Sequence, residues 1–156
     1  MHVAWADASA TPGGDVLHTR GVPVANTFQG EFPHHNIRLD GYERISPVGA
    51  FPAHGVGLLD MIGNVSEGTD SWYGPHAPEA ATAAFDPGGC CLARLASFDT
   101  SSQHGSLPRK VVKGGSFLCA PSYCRRYRLA ALMALGIDTS TCLMGCRCVV
   151  GAQADG

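Results

Sequence analysis

The apolar positions of this chain fall in short stretches separated by turn residues. Residues 110–119, "KVVKGGSFLC", combine an apolar pair with a following glycine pair and predict a strand that enters a turn. Residues 145–151, "GCRCVVG", alternate and predict a closing strand. In "GLLDMIGNVSE", residues 57–67, the apolar run ends at Gly63 and Asn64, a common turn pair.

Helical patterns are few. Residues 2–10, "HVAWADASA", predict the opening of a helix, which stops at the following "TPGGD". Residues 124–135, "CRRYRLAALMAL", fit a helix by propensity, and a strand over 124–129 fits them equally well. Residues 74–109 are rich in Ala, Pro, Gly and Ser and predict a long surface excursion. We therefore expect one α+β domain over residues 1–156, held together by loops.

Composition agrees with a globular, turn-rich protein. The 156 residues are 45% hydrophobic, and the 20 glycines and 10 prolines are spread along the chain. A net charge of −2 with 15% charged residues gives no reason to expect a nucleic-acid partner. No apolar run approaches the roughly 18 residues of a membrane helix, and no secretory signal pattern is present. The expectation is a cytoplasmic monomer without a membrane partner.

Two cysteines stand out in "GGSFLCAPSYCRRYR", residues 114–128, which we call the thiol loop. Cys119 and Cys124 form a Cys-x4-Cys pair that runs into arginines. Such a pair is compatible with a disulfide, with buried packing or with a soft-metal redox centre. A zinc site is less favoured because the chain has no Cys-x2-Cys pair. Arg125, Arg126 and Arg128 are expected to lower the pKa of the thiols.

Four segments together resemble the formylglycine-generating enzyme family, also called the sulfatase-modifying factor family. They are "ANTFQGEFP" at 25–33, "VGAFPAHGVGLLDMIGNVSEGT" at 48–69, "KGGSFLCAPSYCRRYR" at 113–128 and "GCRCV" at 145–149, in this order. The resemblance implies a C-type-lectin-like fold with little regular secondary structure. It also implies an activity: the oxidation by O2 of a substrate cysteine to Cα-formylglycine, with copper(I) as the cofactor.

The resemblance places the catalytic site in the thiol loop. It implies that Cys119 and Cys124 bind copper(I), a soft ion that thiolates hold well. A substrate cysteine would supply a third sulfur. The hydroxyl of Ser116, which stands in the family's Gly-Gly-Ser turn, would form a hydrogen bond with oxygen or with the substrate.

The implied substrate is an unfolded sulfatase segment with a Cys-x-Pro-x-Arg type of motif. Tyr123 would offer this peptide a hydroxyl and an aromatic wall, and Arg125 and Arg126 are further candidate substrate-binding residues.

Two calcium sites are also implied by the resemblance, and oxygen ligands from loops suit this ion. What the ligands share is a side-chain or backbone oxygen in a turn. The first calcium set is the side chains of Asn26 and Asp40 with the backbone carbonyls of Thr27 and Tyr42; the second is Asp60 and Glu67 with the backbone carbonyls of Gly63 and Val65.

Some positions depart from the family pattern. Ser66 and Gly68 stand where relatives carry tryptophans. After residue 10, "TPGGDVLHTR" replaces the block that continues the family's first helix, so the N-terminal part of the family domain is expected to be largely missing. These departures motivate a second hypothesis, a non-catalytic family member that serves as a scaffold for a peptide or a partner.

Overall fold

The structure, a computed structural model, describes residues 17–54, 57–74, 97 and 107–148. Within these residues the regular structure consists of eight strands, most of them two residues long. The strands are β1 His18–Thr19, β2 Val22–Pro23, β3 Gly30–Glu31, β4 His35–Asn36, β5 Ser66–Trp72, β6 Arg109–Lys113, β7 Met133–Gly136 and β8 Met144–Gly145.

One four-stranded sheet and two small hairpins contain all of these strands. The sheet order is β7-β6-β5-β8, while β1 pairs with β2 and β3 pairs with β4. β6 is antiparallel to both of its neighbours. β8 is parallel to β5, with Glu67 opposite Gly145. The sheet thus brings the end of the described chain alongside residues that lie about 80 positions earlier.

Two glycine-containing turns meet at one end of the sheet. Gly63 and Asn64, just before β5, both have positive φ, and so do Gly114 and Gly115, just after β6. The two turns are joined by a hydrogen bond from the Gly63 N–H to the Gly114 carbonyl, 2.9 Å long. Phe117 adds a second bond, from its N–H to the Asn64 carbonyl. This junction fixes the start of the thiol loop against β5.

The hydrophobic core lies directly under the thiol loop. Its buried cluster joins Leu17, Ala25, Ile62 and Tyr127 to the side chain of Cys119. Cys124 packs against this cluster from outside. The cluster draws on segments spread over more than 100 positions, so the surroundings of Cys119 depend on long-range contacts.

The loop-rich character predicted from the sequence is confirmed for the described residues, and so is the strand within residues 110–119. The helical part of the α+β prediction is not confirmed, because the described residues contain strands and no helix. Residues 124–132 form turns instead of the helix or the strand that their pattern allowed, and regular structure resumes only at β7. Of the predicted strand at 145–151, residues 145–148 are described, and β8 includes only Gly145 of these; residues 149–151 lie outside the described residues.

Several expectations fall outside the described residues. The predicted helix at 2–10 lies there, as does most of the excursion at 74–109. The single-domain organisation, the monomeric state and the cytoplasmic location stay predictions. In the part of the chain that the structure describes, no helix has the length and hydropathy needed to cross a membrane.

Candidate functional site

The two sulfur atoms of the thiol loop lie side by side. The Sγ atoms of Cys119 and Cys124 are 3.1 Å apart, much farther than the roughly 2.05 Å of a disulfide bond, and both cysteines are free. Cys119 is only 3% exposed, whereas Cys124 is partly exposed. The structure therefore contains two neighbouring thiols, one in the core and one at its surface.

Backbone hydrogen bonds hold both cysteines in tight turns. The Cys119 N–H donates to the Ser116 carbonyl at 2.9 Å, and the Ser116 N–H points back at Cys119 Sγ at 3.4 Å. The Cys124 N–H donates to the Ala120 carbonyl at 3.0 Å. Gly115 makes this arrangement possible: its φ is +68°, and a Cβ atom there would lie 2.8 Å from the Tyr127 nitrogen.

Burial dominates the electrostatics of the inner thiol. It raises the pKa of Cys119 to about 11, although the Ser116 N–H acts in the opposite direction. The prediction that the arginines lower this pKa is therefore wrong for Cys119. The physical reason is that burial outweighs every other influence: the only arginine group that lowers this pKa is the Arg126 backbone. The side chains of Arg125 and Arg126 bond elsewhere, to the Pro121 carbonyl and to Met133 Sδ.

Ser116 lies beside the thiols, but its side chain serves the local turn. It is buried, and its Oγ accepts the Leu118 N–H at 3.3 Å. Ser116 therefore has two roles in the turn: its hydroxyl accepts a backbone N–H, and its own N–H points at Cys119 Sγ. The hydrogen bond that it was predicted to make with oxygen or substrate stays a prediction.

Tyr123 belongs to a stack of aromatic rings that we call the aromatic ladder. Its ring lies 4.2 Å from that of Phe32 and nearly parallel to it. Phe32 in turn meets Phe28 edge to face at 5.1 Å. Tyr123 is 68% exposed although it stacks. The ladder runs from a buried phenylalanine to an exposed tyrosine next to Cys124.

An open groove of about 650 Å³ begins at the inner end of this ladder. Phe28 lines it together with Phe117 and Leu118 from the thiol loop and with Arg38. Neither Cys119 nor Cys124 lines the groove. The groove and the exposed thiol are therefore separate features that the aromatic ladder connects.

Lys113 supports the thiol loop in a way that the sequence did not reveal. From the end of β6, its Nζ donates to the carbonyls of Leu129 and Ala131, the latter at 2.9 Å. Burial lowers the pKa of Lys113. In the sequence, Lys113 stands between apolar strand residues and a glycine turn, and this position was the only signal of a structural role. Its partners could not be predicted, because they lie 16 and 18 positions away.

The first calcium set is brought together in space. The Asp40 carboxylate accepts the Thr27 N–H at 3.1 Å and the Tyr42 N–H at 3.0 Å. Asn26 is buried next to Thr27, and its Nδ2 donates to the Arg44 carbonyl at 2.7 Å. The Thr27 hydroxyl is buried and has no hydrogen-bond partner. An oxygen of this kind suits a cation, so the residues present are compatible with calcium.

In the second calcium set, the two carboxylates bond to different partners instead of linking members of the set. The Asp60 carboxylate accepts the Gly49 N–H at 2.8 Å, and Glu67 forms an ion pair with Arg147. In the described ranges, no three His, Cys, Asp or Glu side chains converge on one point. A calcium ion here would depend on backbone carbonyls, as the prediction already requires, and its presence stays a prediction.

Comparison with known proteins identifies the family. The model of the family described as "Sulfatase-modifying factor enzyme 1-like domain" matches residues 2–152. The chain belongs to this family. The recognition made from the four segments is thereby confirmed, and the thiol loop lies within the matched range. The loop-rich structure agrees with the C-type-lectin-like fold expected for the family.

Named relatives agree with this assignment. The chain is 45% identical over 140 residues to the formylglycine-generating enzyme of Mycobacterium tuberculosis. The matched region covers 87% of this chain and 43% of that protein. It is 39% identical over 137 residues to the mouse enzyme of the same name, covering 88% of this chain and 32% of the mouse protein. The chain thus spans less than half the length of these relatives.

A third relative is named as inactive. Over 51 residues the chain is 47% identical to the mouse protein named "Inactive C-alpha-formylglycine-generating enzyme 2", covering 32% of this chain and 17% of that protein. Membership of the sulfatase-modifying factor family therefore includes both active enzymes and proteins named as inactive.

Proposed function

We propose that this chain carries the thiol site of a copper-dependent oxidase that converts a substrate cysteine to Cα-formylglycine. One observation carries the proposal: two free thiols lie 3.1 Å apart inside the thiol loop, and one of them is partly exposed. A disulfide or purely buried packing would not leave Cys124 reduced and within reach of solvent beside a second sulfur.

The donor chemistry of the pair fits copper(I). Thiolates are soft ligands, and soft ligands favour copper(I) over hard ions such as magnesium. Cys119 and Cys124 would hold the ion between them. When bound, copper(I) supplies the redox chemistry with dioxygen that none of the protein's side chains can supply.

Binding requires the inner thiol to lose its proton. Because burial raises the pKa of Cys119 to about 11, this thiol is protonated at neutral pH. A metal that needs the thiolate must therefore release this proton as it binds. The Ser116 N–H, which points at Cys119 Sγ, is placed to stabilise the resulting negative charge.

The surroundings of Cys124 suit a peptide that carries the substrate thiol. Cys124 is the solvent-side member of the pair, so a third sulfur would approach from its side. The exposed face of Tyr123 offers an apolar wall next to Cys124, and its stack on Phe32 restricts the motion of the ring. Arg125 and Arg126 are exposed beside it.

The substrate that we propose is an unfolded sulfatase segment with a Cys-x-Pro-x-Arg type of motif. An extended peptide can follow the aromatic ladder from Tyr123 to Phe28 and continue into the groove beyond it. The groove is lined by both apolar and charged residues, so it is suited to a chain with mixed side chains.

Calcium at the first calcium set is the second ion that we propose. The Asp40 carboxylate joins Thr27 to Tyr42, and Thr27 also presents a buried hydroxyl without a partner. In a fold with few strands and a small core, an ion that links two loops would add stability.

A non-catalytic scaffold remains the second candidate, and specific observations favour it. Ser66 and Gly68 lie in β5 where relatives carry tryptophans. Ser66 lines a small cavity together with Gly115 and Arg126, so a cavity lies beside the thiol loop at the position of the first replaced tryptophan. The similarity over 51 residues to a relative named as inactive also supports this candidate.

Copper(I) titration separates the two candidates at the first step. The oxidase proposal requires one equivalent to be bound tightly by the wild type and not by Cys119→Ser or Cys124→Ser. The control is Cys142→Ser, which changes an exposed cysteine outside the thiol loop. If all four proteins bind copper(I) alike, the thiol loop is not the copper site and the oxidase proposal fails.

A further inference from the structure

The guanidinium of Arg147 lies in a cluster of oxygen atoms between β8 and the turn before β5. Its Nε donates to Glu67 Oε2 at 2.6 Å, and a terminal nitrogen donates to Glu67 Oε1. The same terminal nitrogen reaches the carbonyl oxygens of Leu59 at 3.1 Å and Asp60 at 3.4 Å. One positive charge is thus surrounded by a carboxylate and two backbone carbonyls.

These oxygens overlap with those predicted to hold the second calcium ion. The shared group is the Glu67 carboxylate, whose side chain is only 12% exposed. The Asp60 ligand predicted for calcium is its side chain, which accepts the Gly49 N–H, whereas Arg147 contacts the Asp60 backbone carbonyl. The carbonyls of Gly63 and Val65, the other two predicted ligands, are not among the contacts of Arg147 in the described residues. The Gly63 backbone instead packs against Asn26 of the first set.

Calcium does not fit this site while Arg147 is in place. The ion requires six to eight oxygens at short range, and both oxygens of the Glu67 carboxylate, the predicted ligand that is shared, already face the guanidinium. A divalent ion would also lie beside a fixed positive charge and be repelled by it. A guanidinium is charged at any physiological pH, so this repulsion does not depend on pH.

We infer that the Arg147 guanidinium is the resident cation of the second set and that calcium can enter there only by displacing it. The chain would then bind at most one calcium ion tightly, at the first calcium set. The guanidinium also ties the turn at residues 59–60 to the segment after β8, a connection that a bound ion makes in other loop-rich proteins. The inference does not depend on the copper chemistry.

Calcium titration of the whole chain by calorimetry tests the inference. In Arg147→Gln the second set should gain a calcium site, with an affinity at least about tenfold higher than in the wild type because the competing charge is gone. Arg147→Lys should gain no site, since it keeps the charge. The matched control is Arg38→Gln, which removes an exposed arginine paired with Glu43 at 3.3 Å.

Two further variants assign the ions and keep the test decisive if Arg147→Gln does not fold. A wild-type calcium ion that is lost with Asp40→Asn and kept with Glu67→Gln lies in the first set, as inferred. One that is kept with Asp40→Asn and lost with Glu67→Gln lies in the second set and overturns the inference. Wild-type protein that binds two ions tightly overturns it too, as does folded Arg147→Gln with an unchanged isotherm. No binding by the wild type agrees with the inference, but it contradicts calcium at the first set.

Discussion

Cys119 and Cys124 lie with their sulfur atoms 3.1 Å apart, yet they face different environments. Cys119 is part of the buried cluster with Leu17, Ala25, Ile62 and Tyr127, and Cys124 packs on the outside of that cluster. The two thiols therefore differ in accessibility: Cys119 is held within the buried cluster, and Cys124 is the thiol that an approaching molecule contacts first.

The first prediction concerns the order in which the two thiols react. In the metal-free protein at pH 8, iodoacetamide should modify Cys124 well before Cys119, because Cys119 is buried and its pKa is raised to about 11. Peptide mapping by mass spectrometry at successive times measures both rates. Exposed Cys142 serves as the internal reference for a reactive thiol. Equal rates for Cys119 and Cys142 would show that the inner thiol is not protected.

The second prediction concerns the pH dependence of copper(I) binding. Since the pKa of Cys119 is raised, its thiol is protonated throughout pH 6–8 and releases a proton when the metal binds. This proton alone makes the affinity rise about tenfold for each pH unit in that range. Competition with a chromophoric copper(I) chelator at several pH values measures the slope. An affinity that stays constant from pH 6 to pH 8 contradicts the proposed role of Cys119.

The third prediction compares two glycines with positive φ. Gly41→Ala adds a Cβ that meets nothing within 4 Å, so only the left-handed backbone destabilises it, by about 1–2 kcal/mol. Gly115→Ala adds the same strain, and its Cβ also lies 2.8 Å from the Tyr127 nitrogen and 3.1 Å from Cys119 Sγ. We expect its free energy of unfolding to fall by about 1–3 kcal/mol more than that of Gly41→Ala. Urea unfolding of both variants gives the difference.

Copper(I) binding gives a second measurement on the same pair of variants. Gly115→Ala should weaken binding because its Cβ displaces the Cys119 sulfur, whereas Gly41→Ala should leave binding unchanged. Equal stability and equal copper affinity in the two variants would mean that the close approach at Gly115 does not position the thiol.

The fourth prediction concerns calcium at the first set. At about 100 times its dissociation constant, a calcium ion bound only by the folded state stabilises the protein by about 2.7 kcal/mol. Asp40→Asn should lose most of this gain, because it removes the charge of the carboxylate that links Thr27 and Tyr42. Thermal unfolding with calcium and with a chelator measures the gain.

The control for that measurement is Asp70→Asn. Asp70 is exposed and pairs with Lys110 at 3.3 Å, so its charge lies outside the calcium set. It should respond to calcium as the wild type does. The calcium proposal is contradicted if Asp40→Asn keeps the full gain.

Short-range patterns in the sequence were sufficient for some elements of the fold. The pair Val111 and Val112 followed by Gly114 and Gly115 predicted a strand and a turn, and β6 with its left-handed glycines has this form. These features depend on neighbouring residues alone, namely on apolar strand formers and on the freedom of glycine at positive φ.

Long-range contacts explain what the sequence did not reveal. Residues 124–132 have helical propensity, but the carbonyls of Leu129 and Ala131 bond to Lys113 instead of to a helical turn. The arginines were expected to act on the thiols, whereas Arg126 contacts Met133. Arg147 meets Glu67 across 80 positions through the parallel pairing of β5 and β8. Such partners are set by the folded chain as a whole, and no local pattern indicates them.

The most direct test of the account is the turnover of a peptide with a Cys-x-Pro-x-Arg motif by the copper(I)-loaded protein in air. Mass spectrometry of the peptide would show whether its cysteine loses sulfur and gains oxygen. The account predicts turnover by the wild type and none by Cys119→Ser or Cys124→Ser. Tight binding of copper(I) by the thiol loop without any conversion of the peptide would contradict the oxidase proposal and favour the non-catalytic scaffold.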